Sequence, residues 1–248
     1  MTEPVTAPPS VDAREVANFA AIAGEWWRAD GKFRPLHRLN PARIGYLRDR
    51  LLAHFGLPGE GRRPLAGLRI LDIGCGGGLV AEPLARLGAQ VTGIDAAAEN
   101  VAVAAAHAAE GGLAIDYRCA AAEDLAAAGE QFDAVLTLEI VEHVADVPAF
   151  LGAAASLVRP GGLLAASTLN RTVQAFATAI VGAEYIMRWL PPGTHDWRRF
   201  LKPHELARAV RAAGLQVTDI SGLSYRPLKD EWYVSADTAV NYLLTARR

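Results

Sequence analysis

Cysteine and methionine are scarce in this chain of 248 residues, which contains only two of each. Cys75 and Cys119 are far apart in sequence and form neither a CxxC pair nor a metal-ligand spacing. This pattern excludes a disulfide-rich scaffold and a zinc finger. It favours a reduced compartment, so we expect a cytoplasmic protein.

Long apolar runs are also missing, because no stretch reaches the roughly 18 residues that a transmembrane helix needs. The first residues carry prolines, acids and an arginine, and lack the apolar core of a signal peptide. The net charge of −2 excludes nucleic-acid binding driven by the overall charge of the chain. Hydrophobic residues make up 51 % of the chain, which is typical of a globular protein. We expect it to be soluble, or attached peripherally to the inner membrane surface.

The N-terminal quarter differs in pattern from the remainder. Residues 1–12 are rich in proline, and we expect a disordered leader there. Residues 13–66 form a predicted helical extension, with apolar residues at helical spacing from residue 13 to residue 30. Asn40-Pro41 suits the start of a second helix, and Gly56 suits its end.

Short apolar runs alternate with helical patterns from residue 67 to residue 248. Such alternation with short loops is typical of right-handed βαβ units around a mostly parallel sheet with helices on both faces. The segment 169–202 follows the fifth strand, does not fit this alternation and is predicted to be an insertion. The seven predicted strands span 68–74, 90–95, 115–119, 132–138, 163–168, 215–221 and 240–246.

A glycine-rich loop is the strongest local motif. It begins Asp72-Ile-Gly74, follows a predicted strand, and opens a helix. Glycines there permit positive φ and let a ligand approach the backbone closely, while helix N-terminal amides attract polar groups. Asp95 ends the next strand, where a carboxylate can accept hydrogen bonds from both ribose hydroxyls. The run is GxGxG, not the dinucleotide GxGxxG, because Leu79 stands where the third glycine would be.

The chain resembles a known family in several segments. LDIGCGGG, VTGID and FDAVLTLEIVEHV are similar to the class I methyltransferases that use S-adenosylmethionine and share a Rossmann-like fold. HRLNPARIGY, STLNRT, GTHDWRRFLKP and VNYLL extend the resemblance to ubiquinone biosynthesis O-methyltransferases, over nearly everything from Phe19 onward. The resemblance implies that S-adenosylmethionine contacts Arg43 through its carboxylate, Gly74 at its methionine end, Asp95 at its ribose and Leu138 beside the methyl donor.

Glu139, Glu142 and His143 follow the fourth predicted strand at a spacing that brings them to one face of a helical turn. From the residue types three interpretations stay open. The three side chains could hold a divalent metal ion, His143 could act as general base toward a phenol, or the acids could serve structure. The family resemblance implies a magnesium-type ion at all three positions.

The inserted segment has apolar residues at helical spacing between residues 171 and 190, followed by aromatic and basic residues up to residue 202. Two interpretations stay open: a lid packed on the protein itself, and an interfacial segment that contacts an anionic membrane. The two are compatible. The basic candidates for the membrane contact are Arg188, Arg198, Arg199 and Lys202.

The resemblance implies methyl transfer to phenolic oxygens of polyprenylated intermediates, namely 2-polyprenyl-6-hydroxyphenol and 3-demethylubiquinol. Other ubiquinone biosynthesis enzymes are expected partners. A methyltransferase for another small phenol or acid is the first alternative. An NAD-dependent oxidoreductase and a non-catalytic cofactor-binding protein are the others.

Overall fold

The computed structural model describes residues 10–28, 30–177, 196–226 and 228–248. The predicted leader lies outside the described residues from residue 1 to residue 9. In the part of this leader that is described, Ser10 is buried, and Asp12 caps the first helix by accepting from the backbone N–H groups of Arg14 and Glu15. No helix in the described part of the chain is long and apolar enough to cross a bilayer.

In the described part of the chain, eight strands form one sheet in the order β3-β2-β1-β4-β5-β8-β6-β7. Strands β1 to β5 pair in parallel, and β8 is antiparallel to both of its neighbours, β5 and β6. The mostly parallel α/β sheet is therefore confirmed. The strands are β1 (Arg69–Ile73), β2 (Gln90–Asp95), β3 (Asp116–Cys119), β4 (Phe132–Leu138), β5 (Val158–Leu169), β6 (Gln216–Arg226), β7 (Glu231–Ser235) and β8 (Asn241–Arg247).

The count of seven strands was wrong, because β7 adds an eighth at the edge of the sheet. Among the described strands it pairs with β6 alone, in an antiparallel hairpin. An edge strand has a neighbouring strand on one side only, so its sequence is less hydrophobic than that of a central strand. In the central strand β4, for comparison, every residue is buried.

Helices cover both faces of the sheet. They are α1 (Ala13–Ala20), α2 (Arg34–Phe55), α3 (Ala81–Arg86), α4 (Ala98–Glu110), α5 (Ala122–Ala127), α6 (Val147–Leu157), α7 (Val173–Ala175) and α8 (Pro203–Ala212), with 3-10 turns at Ala23–Glu25 and Trp197–Arg199. Two hydrophobic clusters, one on each face, contain alternate residues of the central strands. Leu71 and Val135 belong to one, and Ile70 and Leu136 to the other.

The start of α2 differs from the prediction. The helix begins at Arg34 with Pro35 in its first turn, and Pro41 lies inside it. Asn40 is therefore not a helix cap. Its amide donates to the backbone oxygen of Leu79 over 2.6 Å, and its Oδ1 accepts from the Arg43 guanidinium over 3.0 Å. The end was predicted correctly, since Gly56 closes the helix with φ 62°.

Candidate active site

A cavity of about 240 Å³ opens at the carboxyl ends of β1, β2 and β4. Ligands of open α/β sheets bind at this edge, because the strand order reverses there and the helix N-termini point toward it. All seven residues predicted for the site line this cavity: Arg43, Gly74, Asp95, Leu138, Glu139, Glu142 and His143.

The glycine loop joins β1 to α3. Gly74 and Gly76 have φ values of 71° and 52°, which side-chain-bearing residues rarely adopt. A Cβ on Gly74 would run into Ile140, and a Cβ on Gly76 would run into the ring of Trp26. The loop thus needs glycine at both positions for its turn and for the close approach of its neighbours.

Asp95, at the end of β2, is tied to the glycine loop. Its Oδ2 accepts from the backbone N–H of Gly76 over 3.0 Å, and its Oδ1 accepts from Ala97 N–H and the Asn100 amide. Burial raises the pKa of Asp95, and these hydrogen bonds oppose the rise. The carboxylate is therefore oriented by the loop that it faces.

Arg43 and Asp72 bring opposite charges into the floor of the cavity. Both are buried, and Asp72 Oδ2 has no hydrogen-bond partner among the described residues. Burial raises the pKa of Asp72 to about 7, although the nearby Arg43 guanidinium opposes this. Burial lowers the pKa of Arg43, and the charges of Glu139 and Asp72 oppose that shift. A buried cation beside an unpaired buried acceptor suits a ligand that carries both charges.

Glu139 and Glu142 are each held by a hydroxyl of β5. Ser167 Oγ donates to Glu139 Oε1 over 2.7 Å, and Thr168 Oγ1 donates to Glu142 Oε2 over 2.8 Å. Asn241 on β8 donates to the same Glu139 oxygen over 3.2 Å. Glu139 has φ 53°, an uncommon value for a residue with a side chain, which is often found at functional sites.

His143 lies beside the N-terminal helix α1. Its Nδ1 lies 2.9 Å from Glu15 Oε2. Burial favours the neutral ring, but the Glu15 hydrogen bond and the charge of Glu142 outweigh it and raise the pKa of His143. Burial and the charge of Glu139 raise the pKa of Glu142 to about 7.

The predicted metal ligands do not converge in this arrangement. Glu139, Glu142 and His143 face different protein partners, and the described residues include no group of three or more His, Cys, Asp or Glu side chains suited to a metal ion. The prediction of one shared helical face was wrong, because residues 139–143 form a bend and a turn and not a helix, and Glu139 has φ 53°. The three side chains therefore point to different partners.

Four further residues contribute to the site and were not predicted as site residues: Glu15, Trp26, Asp72 and Asn100. Trp26 Nε1 donates to Asn100 Oδ1 over 2.8 Å, and Asn100 in turn donates to Asp95. Asp72 could have been recognised from the sequence, because it stands two residues before the first loop glycine. Glu15 and Trp26 belong to a helical pattern whose partners are distant in sequence.

Comparisons with known proteins bear on the family and the fold. A family model described as a methyltransferase domain matches residues 37–220. Among solved structures, magnesium protoporphyrin IX methyltransferase from Synechocystis PCC 6803 with bound SAM covers 94 % of this chain and 97 % of its own, with a TM-score of 0.62 and 18 % identity. A SAM-dependent methyltransferase from Thermotoga maritima, with 19 % identity, covers 94 % and 99 % with a TM-score of 0.60. These structures support the fold.

Curated relatives are much more similar in sequence. Proteins named ubiquinone biosynthesis O-methyltransferase from Parvibaculum lavamentivorans and Methylobacterium sp. strain 4-46 are each 56 % identical, covering 96 % and 97 % of this chain and 94 % and 96 % of their own. The one from Brucella anthropi is 52 % identical and covers 100 % of this chain and 99 % of its own. Because identity of this level extends over almost the whole length, the chain belongs to the family of ubiquinone biosynthesis O-methyltransferases.

Proposed function

We propose that this protein transfers the methyl group of S-adenosylmethionine to phenolic hydroxyls of polyprenylated ubiquinone precursors. The observation that carries the proposal is family membership at more than 50 % identity over nearly the full length, joined to a cavity lined by the residues predicted for the site. The proposed acceptors are 2-polyprenyl-6-hydroxyphenol and 3-demethylubiquinol.

The cavity floor fits the amino-acid end of S-adenosylmethionine. The Arg43 guanidinium supplies a buried cation for its carboxylate, and the unpaired Oδ2 of Asp72 supplies an acceptor for its ammonium group. Gly74 follows β1 and lines the cavity, so its backbone would lie beside this end of the ligand. A dinucleotide pyrophosphate would instead meet the negative charge of Asp72, which argues against the NAD alternative.

The remaining part of the cavity fits the nucleoside. Asp95 keeps lone pairs in addition to those that accept from Gly76, Ala97 and Asn100, so it can accept the ribose hydroxyls. Leu138 ends β4 and is almost fully buried beside the cavity, where it would pack against the sulfonium side of the ligand.

When bound, S-adenosylmethionine supplies a sulfonium whose methyl carbon is already a good electrophile. The protein must orient the acceptor oxygen and remove its proton, since a phenol has a reference pKa of roughly 10 and is a weak nucleophile when protonated. We assign His143 as the general base, because its imidazole lines the cavity at the loop that follows β4. The apolar cavity walls exclude water and hold the acceptor in line, which can supply several kcal/mol.

The side-chain positions of Glu139, Glu142 and His143 do not fit the magnesium ion that the family resemblance implies. The oxygens of the two acids accept from Ser167, Thr168 and Asn241, and His143 faces Glu15. Binding of the ion would require these hydrogen bonds to be exchanged for metal coordination. No step of the reaction is therefore assigned to a metal.

We also propose peripheral contact with the inner membrane surface. Val173 and Phe176 open the inserted segment with 81 % and 43 % exposure, and Arg198 and Lys202 are exposed near its end. Residues 178–195, which include Arg188, lie outside the described residues. Arg199 does not fit this role, because it pairs with Asp12 and Glu15 of the protein itself.

The decisive experiment is turnover of a short-chain polyprenyl catechol with methyl-labelled S-adenosylmethionine. We expect label in the phenolic ether, and binding of S-adenosylhomocysteine but not NAD in calorimetry. Label transfer to simple phenols but not to the polyprenyl catechol would support the alternative methyltransferase. Cofactor binding without any transfer would support the non-catalytic protein.

A further inference from the structure

The N-terminal helix α1 forms one wall of the active-site cavity. Asp12, Glu15, Val16 and Phe19 line it and follow the i, i+3, i+4, i+7 spacing of one helix face. The chain just before α1 is tied down as well, since Ser10 accepts a backbone hydrogen bond from Ala145 over 2.9 Å. The helical extension thus contributes side chains to the site, besides adding to the fold.

Glu15 on this helix contacts the proposed base directly. Its Oε2 lies 2.9 Å from His143 Nδ1, and the two residues are 128 positions apart in the chain. The side chains of His143 and Glu15 are only 12 % and 24 % exposed. The ring of Phe19, one helical turn further on, meets the imidazole edge-on at 5.1 Å. The imidazole is therefore restrained both by a carboxylate and by an aromatic ring.

The Glu15 carboxylate is itself oriented by Arg199. Arg199 Nη1 lies 3.4 Å from Glu15 Oε1 and 3.2 Å from Asp12 Oδ2, while its Nη2 donates to the backbone oxygen of Val144 over 2.7 Å. One oxygen of Glu15 thus faces the arginine and the other faces the imidazole. The arrangement Arg199–Glu15–His143 joins the end of the inserted segment, α1 and the loop that follows β4.

We propose that Glu15 is a positioning residue for methyl transfer, which holds the His143 ring in the orientation and tautomer that its role as base requires. An ionised carboxylate can only accept a hydrogen bond, so it fixes the proton of the neutral ring on Nδ1 and makes Nε2 the basic nitrogen. A nucleophile's base oriented by a third group is a recurring catalytic arrangement. This inference rests on the proposed function, because it requires His143 to be the base.

A purely structural role for Glu15 makes different predictions. Asp12 caps α1 and also pairs with Arg199, so the helix stays attached when the Glu15 carboxylate is lost. If Glu15 served only to attach α1, its effect on turnover would be independent of His143. If it works through His143, removing it should have no further effect once the imidazole is gone.

The test is a double-mutant cycle of Glu15→Gln and His143→Asn in the full chain, assayed with polyprenyl catechol. Glutamine keeps the size of the side chain, but it can donate to Nδ1 and so stabilise the wrong tautomer. Arg14→Ala, on the exposed face of α1, is the matched control. Glu15→Gln should lower kcat by about 10- to 100-fold, a part of what a general base contributes. KM and the S-adenosylhomocysteine affinity should stay within about twofold of wild type.

The combined variant should be no slower than His143→Asn. Two results would overturn the inference and leave the proposed function intact. In the first, Glu15→Gln keeps the full wild-type kcat while His143→Asn is impaired. In the second, the loss of kcat in the double variant equals the product of the losses in the two single variants. Failure of the wild type to methylate the catechol would instead reject the proposed function. Thermal melting and S-adenosylhomocysteine binding identify any variant that fails to fold, and Glu15→Ala then repeats the test with a second side chain.

Discussion

The indole N–H of Trp26 donates to Asn100 Oδ1 over 2.8 Å, and this contact connects the N-terminal extension to the cofactor end of the site. Asn100 in turn contacts Asp95, because its amide donates to the Asp95 carboxylate over 3.2 Å. The Trp26 ring also lies where side chains on Gly76 and Gly77 would otherwise project. One aromatic residue from outside the βαβ units therefore supports both the glycine loop and the carboxylate at the end of β2.

Replacing Trp26 by phenylalanine should weaken binding of S-adenosylhomocysteine by about 0.5–1.5 kcal/mol, the usual net value of one hydrogen bond. Phenylalanine keeps most of the packing and removes the N–H that holds Asn100. The measurement is titration calorimetry. Trp232→Phe, in the edge strand β7, is the control and should leave the affinity unchanged. If both variants bind S-adenosylhomocysteine equally well, the hydrogen bond of Trp26 does not help to orient Asp95.

Replacing Arg43 by methionine should reduce cofactor affinity by about 10- to 100-fold, because a charge-assisted bond to the cofactor carboxylate is worth roughly 1.5–3 kcal/mol. Methionine has a similar length and carries no charge. Arg48→Met lies on the same helix α2, is largely exposed and serves as the control. Unchanged binding in Arg43→Met would show that the buried cation serves only to balance Asp72 and Glu139.

Asp72 should make the protein less stable as pH rises. Its ordinary pKa is 3.8 and burial raises it to about 7, so between these values the folded state holds a proton that the unfolded state has released. The contribution of Asp72 to the free energy of unfolding therefore falls through this window, and above pH 7 its full cost of roughly 4 kcal/mol is present.

Asp72→Asn removes this dependence. In urea unfolding, the free energy of unfolding of the variant relative to that of wild type should rise by roughly 3 kcal/mol between pH 5 and pH 8. Asp49→Asn, with a largely exposed carboxylate, is the control and should keep the wild-type pH profile. A constant difference between wild type and Asp72→Asn across this range would contradict a raised pKa.

Chelation of divalent ions should leave S-adenosylhomocysteine affinity unchanged, because none of Arg43, Asp72, Gly74 and Asp95 is a proposed metal ligand. The measurement is calorimetry after dialysis against EDTA, followed by the turnover assay on the same sample. Turnover that persists agrees with His143 acting without a metal. Turnover that is lost and then restored by magnesium would return Glu139, Glu142 and His143 to the role of ligands after a rearrangement of their hydrogen bonds.

The start of the inserted segment should contribute to membrane attachment. The pair of changes Val173→Asp and Phe176→Asp should abolish flotation with anionic vesicles, since it places charge where apolar side chains are exposed. Arg198 and Lys202 should add roughly 1 kcal/mol each, so attachment should weaken as salt rises.

Leu228→Asp is the control for this experiment, because Leu228 is fully exposed at the β6–β7 turn, outside the segment. Arg199→Ala should change flotation less than Arg198→Ala, since Arg199 already pairs with Asp12 and Glu15. A wild-type protein that never floats would leave the lid as the remaining interpretation of the segment.

The sequence by itself determined the elements whose signal is local. The strand patterns predicted β2 and β4 with their observed bounds, because the apolar residues that mark each strand lie within a few positions of one another. The glycine loop and Asp95 were predictable for the same reason, since a turn with positive φ and the end of a strand are defined within a few residues. Such features require no knowledge of which distant segment packs on them.

Only the tertiary structure decided which side chains meet. The start of α2 before Pro41, the edge strand β7 and the separate partners of Glu139, Glu142 and His143 all depend on neighbours distant in the chain. Glu15 reaches His143 across 128 residues, and nothing in the spacing of either helix or loop encodes that contact. Periodicity specifies which face of an element is buried, whereas the partner of a polar side chain is selected by packing after the elements have come together.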